Sequence, residues 1–247
     1  MKTNLRVAVT ALLTTALFAT SVFAKESELT YFTAGQPEGS VFLPPPPLMG
    51  SAEQATDMAA VVAVHAACTT NEAELAFSEK KFSIFTFTPA IGVFFQPGKL
   101  PKTEAFFERV QTQAETVTDR AKDFFKRPRP FTVDPSLGSG KLEKSFSYPS
   151  GHSTEGSVLA LVLCELFPDQ HDDIMTIGRN LGWHRVWIAR HYPTDIYAGR
   201  MFARAIVREM KNNLAFHRDL EEARTEIEAA RQSLKAAATV QPAAAAN

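Results

Sequence analysis

Cysteine is nearly absent from this 247-residue chain, with Cys68 and Cys164 the sole pair. A small scaffold stapled by several disulfides is therefore excluded, and at most one bridge can form. No Cys-x-x-Cys or His-Glu-x-x-His spacing occurs. His65, His171 and His217 stand apart from any ligand pattern, so no metal and no cofactor is expected. A basic excess is lacking too. The 26 Lys and Arg face 27 Asp and Glu, a formal net charge of −1, which leaves no electrostatic footprint for nucleic acid. After residue 24 no run of ~20 apolar residues is free of charged or polar interruption, so no membrane span is expected. No internal repeat of useful length is found.

The first 24 residues are what is most distinct in composition. Lys2 and Arg6 precede an apolar stretch from Val7 to Phe18, and Val22, Phe23 and Ala24 close it as a small-residue cleavage site, the pattern of a signal peptide. Its removal takes away two cations and no acid, bringing the net charge to about −3. A periplasmic or secreted location follows, in a compartment where thiols oxidise. Whether Cys68 and Cys164 pair stays open, since Cys164 lies in an apolar helical stretch that also suits a small buried residue.

Residues 25–50 are Pro-rich, and Pro44, Pro45, Pro46 and Pro47 favour extended polyproline geometry, a strap over the body of the protein. Residues 51–235 read as one helical domain, and 236–247 as an Ala-rich flexible tail. The fold class expected is all-α, a single-domain helical bundle. Phe106, Val110, Ala114, Val117 and Ala121 recur at three- and four-residue steps and predict a helix over 101–126. Further helices are expected over 52–68, 153–167, 168–188, 194–212 and 214–230. The last is strongly charged and reads as a surface helix against a neighbouring subunit, hence a homo-oligomer. Phe82, Phe85, Phe87, Phe94 and Phe95 are core, with some available to wall a pocket.

Three patches carry the chemistry. Lys122 and Arg129 are separated by six residues, with Pro128 and Pro130 ending the helix and leaving Arg129 in a rigid turn. Ser150, Gly151 and His152 open a helix whose backbone N–H groups can face an anion. Arg185 is followed by His191 and Asp195. A phosphoryl group spreads charge over several oxygens, and Lys122, Arg129 and Arg185 can supply fixed donors around it. Two histidines can divide the work: His191 as nucleophile, oriented by the carboxylate of Asp195, and His152 as the acid that protonates the departing oxygen. His152 would begin protonated and His191 neutral, giving a bell-shaped rate with an acidic optimum.

The set K-x6-R-P, P-S-G-H and R-x5-H-x3-D resembles the signature of bacterial non-specific acid phosphatases, within the type 2 phosphatidic acid phosphatase and vanadium haloperoxidase superfamily. Lys122, Arg129, Pro130, Pro149, Ser150, Gly151, His152, Arg185, His191 and Asp195 match it in order. His184 departs, standing where the signature usually has serine. The prolines 44–47, Leu181-Gly182 and residues 213–216 are similar to the secreted class A enzymes. The resemblance implies a helical bundle that hydrolyses small phosphate monoesters, takes inorganic phosphate or vanadate as ligand, and needs no metal. It also implies that Lys122, Arg129 and Arg185 bind phosphate, His191 becomes phosphorylated, and His152 protonates the leaving group.

Each patch alone has a plainer meaning. A Lys and an Arg seven apart describe a solvated helix face, Pro-Ser-Gly-His a turn into a helix, and His four before Asp a helix-surface pair. Together, in order and with these spacings, they favour the phosphatase. A vanadium-dependent haloperoxidase and an exported phosphate-ester binder without turnover are the alternatives.

Overall fold

The computed structural model describes residues 30–33 and 35–240, and within them every regular element is helical. The expected signal peptide and residues 241–247 lie outside the described residues. Seven helices of nine residues or more carry the described structure: α1 (Ala52–Ala67), α2 (Thr70–Ser78), α3 (Pro101–Phe125), α4 (Gly151–Leu166), α5 (His171–Trp187), α6 (Pro193–Met210) and α7 (Leu214–Val240). Single turns at Gly39–Phe42, Ile84–Phe87, Thr88–Ile91, Pro130–Val133, Pro135–Leu137 and Pro168–Gln170 punctuate the connections. No helix among the described residues is long and apolar enough to cross a membrane.

α4 is the hub, packed against α5, α6 and α3. Its burial is nearly all-round, including Val158, Leu159, Ala160, Val162 and Leu163, as expected of a helix without a polar face. Close approach is bought by small residues. A methyl group on Gly178 of α5 would lie 2.7 Å from the Gly156 carbonyl of α4, and one on either Gly182 of α5 or Gly199 of α6 would lie 2.8 Å from Ser153 Cβ. Ser153 also donates to the Ile196 carbonyl at 2.7 Å. The first turn of α4 is thus pinned on two sides by neighbouring backbones.

α3 follows its sequence stripe: Phe106, Val110, Ala114, Val117 and Ala121 are all buried, each large one contributing ~1.5–3 kcal/mol of apolar transfer. The helix ends at Phe125 because Lys126 takes a left-handed conformation, φ 52°, and its N–H bonds back to the Lys122 carbonyl. Pro128 then bars continuation. The strap is less extended than its prolines suggest. It contains the helical turn Gly39–Phe42, and Tyr31, Phe32 and Leu43 enter the main core. The stretch from Pro168 makes only a single turn before α5 starts at His171.

α7 is a largely exposed helix, as its charges suggest, with one buried stripe. Phe216, Leu220, Ala223 and Ile227 are buried, and α7 packs on α3, so its apolar stripe is spent within the chain. Its Glu226 carboxylate accepts the N–H groups of Lys102 and Thr103, capping α3. The helix extends past Lys235 to Val240, as the high helix propensity of alanine allows. Cys68 and Cys164 are unpaired.

Two apolar clusters result. The larger runs through α3, α4, α6 and α7; the smaller joins Val61, Phe131, Leu137, Val186, Ala189, Tyr192 and Ile196. Lys122 adjoins the first cluster through Ala121, and Arg185, His191 and Asp195 interleave with the second.

Candidate active site

His191 sits two residues before Pro193, which opens α6 without needing an N–H donor there. The Asp195 carboxylate caps the same helix by accepting the Tyr192 N–H at 3.0 Å. Its Oδ2 also accepts the Ser147 hydroxyl at 2.5 Å and lies 3.3 Å from His191 Nδ1. On the other edge of the ring, Arg129 Nη1 stands 3.2 Å from His191 Nε2. A guanidinium can only donate, so Nε2 presents its lone pair and Nδ1 carries the proton toward Asp195. The nitrogen that carries the lone pair therefore lies beside Arg129.

Arg129 is held in turn. Its Nε and Nη2 donate to the carbonyl and hydroxyl of Ser145, and Nη1 donates to the Arg190 carbonyl at 2.9 Å. Behind Asp195 stands Arg127, which the motifs do not single out. Its Nη1 donates to Asp195 Oδ1 at 2.6 Å and to Thr194, its Nη2 to Asp57 Oδ2 at 2.7 Å and to Gln54, and its guanidinium lies 3.9 Å from the Tyr192 ring centre. Both ion pairs are buried. Arg127 and Arg129 alternate with prolines in non-helical backbone, and that alternation is the one sequence signal that could have paired them.

His152, the second residue of α4, has a different surrounding. Its Nε2 lies 3.1 Å from the backbone carbonyl of Glu79, and its ring meets Phe82 at 5.4 Å. A carbonyl only accepts, so Nε2 carries the proton and Nδ1 is the nitrogen left to take up and give one. Arg185 Nη1 donates to the Ala76 carbonyl at 2.8 Å, and its Nη2 pairs with Glu143 at 3.1 Å. Ala76 and Glu79 belong to the last turn and C-cap of α2, where carbonyls lack intrahelical partners. The end of α2 thus takes one donor from each of these two side chains. Arg185 Nε is buried without a hydrogen-bond partner among the described residues.

His184 fills its place beside Arg185 by stacking on Trp187, ring centres 4.1 Å apart, while its Nδ1 donates to the Glu79 carboxylate at 2.8 Å. Ser150 caps α4 through Ser153, and its N–H bonds to the Asp195 carbonyl at 3.1 Å, tying two of the motifs together. Gly151 brings the start of α4 to the lysine: a methyl there would lie 3.6 Å from Lys122 Nζ and 3.3 Å from Glu155.

Electrostatics tie the patches together. Burial and then Arg129, Lys122, Arg185 and His152 hold His191 well below the usual histidine range. Burial and then the nearby Arg185, with Lys122 and Arg129 adding, pull His152 down to about 3. The same three cations act on both imidazoles. Lys122 is itself lowered to about 8, and Arg185 to about 10, by burial first; both stay charged at acidic pH. Burial lifts Glu155 to about 7, so below that pH it is mostly neutral beside the lysine. In the free site a proton on His152 is thus disfavoured, since a buried imidazole among three cations resists a fourth charge.

A cleft of about 520 Å³ between the four prolines and α6, lined by Pro45, Leu48, Tyr197 and Met201 among others, contains none of the motif cations. Of the residues the motifs single out, Lys122, Arg129, Ser150, Gly151, His152, Arg185, His191 and Asp195 come together. Arg127, Ser147 and Glu79 complete the arrangement without having been signalled.

The PAP2 superfamily model matches residues 111–217, which span all three patches. An acid phosphatase of Zymomonas mobilis is 31% identical over 205 residues, covering 78% of this chain and 76% of that one. A non-specific acid phosphatase of Providencia stuartii is 29% identical over 231 residues, covering 85% of this chain and 93% of its own. Among solved structures, a transmembrane PAP2-type phosphatidylglycerolphosphate phosphatase from Bacillus subtilis superposes with a TM-score of 0.48 at 19% identity, over 66% of this chain and 87% of that one.

Proposed function

This chain belongs to the PAP2 superfamily, and on that premise we propose that it is an exported acid phosphatase that hydrolyses small phosphate monoesters through a phosphohistidine, without a metal. Relatives named acid phosphatase over most of its length support the reaction class. The observation that carries the mechanism is the placement of His191: lone-pair nitrogen 3.2 Å from Arg129 Nη1, opposite nitrogen turned to Asp195.

In this reading Lys122, Arg129, Arg185 and the first backbone N–H groups of α4 hold the phosphoryl oxygens. The Nε2 lone pair of His191 forms a bond to phosphorus as the ester P–O bond breaks. His152 gives a proton to the departing oxygen, which leaves as an alcohol. Asp195 offsets the positive charge on the phosphorylated imidazole. His152, now neutral, takes a proton from water as its oxygen bonds to phosphorus and the P–N bond breaks, releasing phosphate and restoring both histidines.

His152 gains its starting proton with the substrate. Phosphate oxygens among the three cations offset their field on the ring and so raise its proton affinity in the complex against the burial that lowers it. The rate then falls as pH rises through the His152 value of the complex, giving an acidic optimum. Because fixed cations supply the charge stabilisation, activity survives chelation; loss in EDTA restored by a metal would overturn the scheme. The decisive experiment is an alkaline denaturing quench during turnover of p-nitrophenyl phosphate, with mass spectrometry of the digest. Phosphate on His191 is expected. Single-turnover cleavage with inversion at a chiral phosphorus would sink the covalent intermediate.

A further inference from the structure

Two residues outside the reacting set form a chain to His152. The Nδ1–H of His184 donates to the Glu79 carboxylate at 2.8 Å, and the backbone carbonyl of the same Glu79 lies 3.1 Å from His152 Nε2. Their side chains are 9% and 13% exposed, so neither link runs through open solvent. His184 is itself fixed on α5 by its stack on Trp187, three residues on. Glu79 is the residue that ends α2, its N–H returning to the Leu75 carbonyl at 3.1 Å. The end of a short helix would otherwise be held toward α5 by the Arg185 bond to Ala76, a group that substrate also needs.

We infer that His184 and Glu79 are positioning residues: their side-chain pair tethers the end of α2 so that its last carbonyl fixes the ring and tautomer of His152, leaving Nδ1 to meet the leaving group. This rests on the reading of His152 as the general acid. The tether acts through His152 alone, on proton delivery to the departing oxygen and on the later uptake of a proton from water, and kcat/KM reports the first of these. A shift of the α2 end turns the imidazole or lets it exchange tautomers, and misplacement of about 1 Å in a reacting geometry costs on the order of 100-fold. Arg129 and His191 do not depend on it, being held by Ser145, Arg190, Ser147 and Asp195; Arg185 shares the end of α2 through the Ala76 carbonyl but is held by Glu143 as well.

The consequence is a dependence on the leaving group that general loss of structure would not produce. The test compares kcat/KM for p-nitrophenyl phosphate, whose phenolate departs without much help, with phenyl phosphate and glycerol phosphate, whose oxygens need the proton. His184→Ala and Glu79→Ala are each expected to lose ~10- to 100-fold on glycerol phosphate and less than ~3-fold on p-nitrophenyl phosphate. Glu79→Ala keeps the backbone carbonyl and removes only the tether, so it serves if His184→Ala folds poorly. Glu79→Gln, whose amide oxygen still accepts from Nδ1–H, should recover most of the glycerol phosphate rate. His152→Ala is the control. If it loses all three substrates equally, the general-acid reading fails. If it shows the selective loss while Glu79→Ala and His184→Ala lose all substrates equally or none, the tether alone is refuted.

Discussion

His191 is enclosed by residues of the motifs and their immediate neighbours, with Arg129 on one nitrogen, Asp195 on the other, and Arg127 and Ser147 behind the carboxylate. His152 rests instead on the end of α2 and on Phe82, from a stretch that carries no motif. The first wall is a closed network of charged donors and acceptors in which each member satisfies another. The second is one carbonyl and one aromatic face. A phosphorus-attacking nitrogen needs a single fixed direction, which charge-assisted bonds enforce. An acid must change its charge during turnover, and the neutral carbonyl that holds His152 fixes the ring without adding a charge of its own.

The largest effect expected of breaking the His191 wall comes from the ring itself. His191→Ala should lower kcat/KM by on the order of 10⁴-fold or more, with no phosphorylated peptide after alkaline quench; retained turnover would move the nucleophile elsewhere. Next is Arg127→Met, which strands two buried carboxylates. It should destabilise the fold by ~3–5 kcal/mol, read in urea denaturation, and Asp57→Asn in the same chain should recover part of the loss. Asp195, freed of its cation, should also raise the proton affinity of His191 and move the acid limb of the kcat/KM profile upward.

The His152 wall is sharpened by titration. The folded protein keeps His152 neutral down to about pH 3, against 6.5 for an unperturbed histidine. The unfolded chain therefore binds more protons between these values, and stability falls as pH drops from 6.5 toward 3. Phosphate offsets this loss, so the rise in Tm with phosphate should be greater at pH 5 than at pH 7.5. Calorimetry in two buffers of different ionisation enthalpy should find proton uptake on phosphate binding near pH 6. No uptake there would mean His152 stays neutral in the complex. The smallest effect belongs to Phe82→Ala, which removes the aromatic face and should cost roughly 2- to 10-fold in kcat/KM.

What the sequence allowed differs between the two walls for the same physical reason. The cations, both histidines and Asp195 lie at fixed spacings, and the stripe of α3 and Pro193 of α6 suffice to bring them to helix ends. Arg127 was passed over because its role depends on Asp57, seventy residues earlier, and no local period encodes that separation. Glu79 bonds His152 through its main chain, which side-chain identity does not report. The lowered proton affinity of His152 was not legible because it is set by burial and by cations from three separate stretches. α7 is the surface helix its charges suggest, but that four apolar residues dock it on α3 was not legible, because its partner lies far earlier in the chain.

Ser153 is wedged between two glycines of different helices, neither of which has room for a methyl group. A cradle braced in this way has no slack with which to embrace its guest. Amide exchange in the first turn of α4 should therefore be as slow before phosphate arrives as after, and discrimination among esters must be exercised at the rim, where the alcohol half lies, rather than by closure around the phosphoryl half.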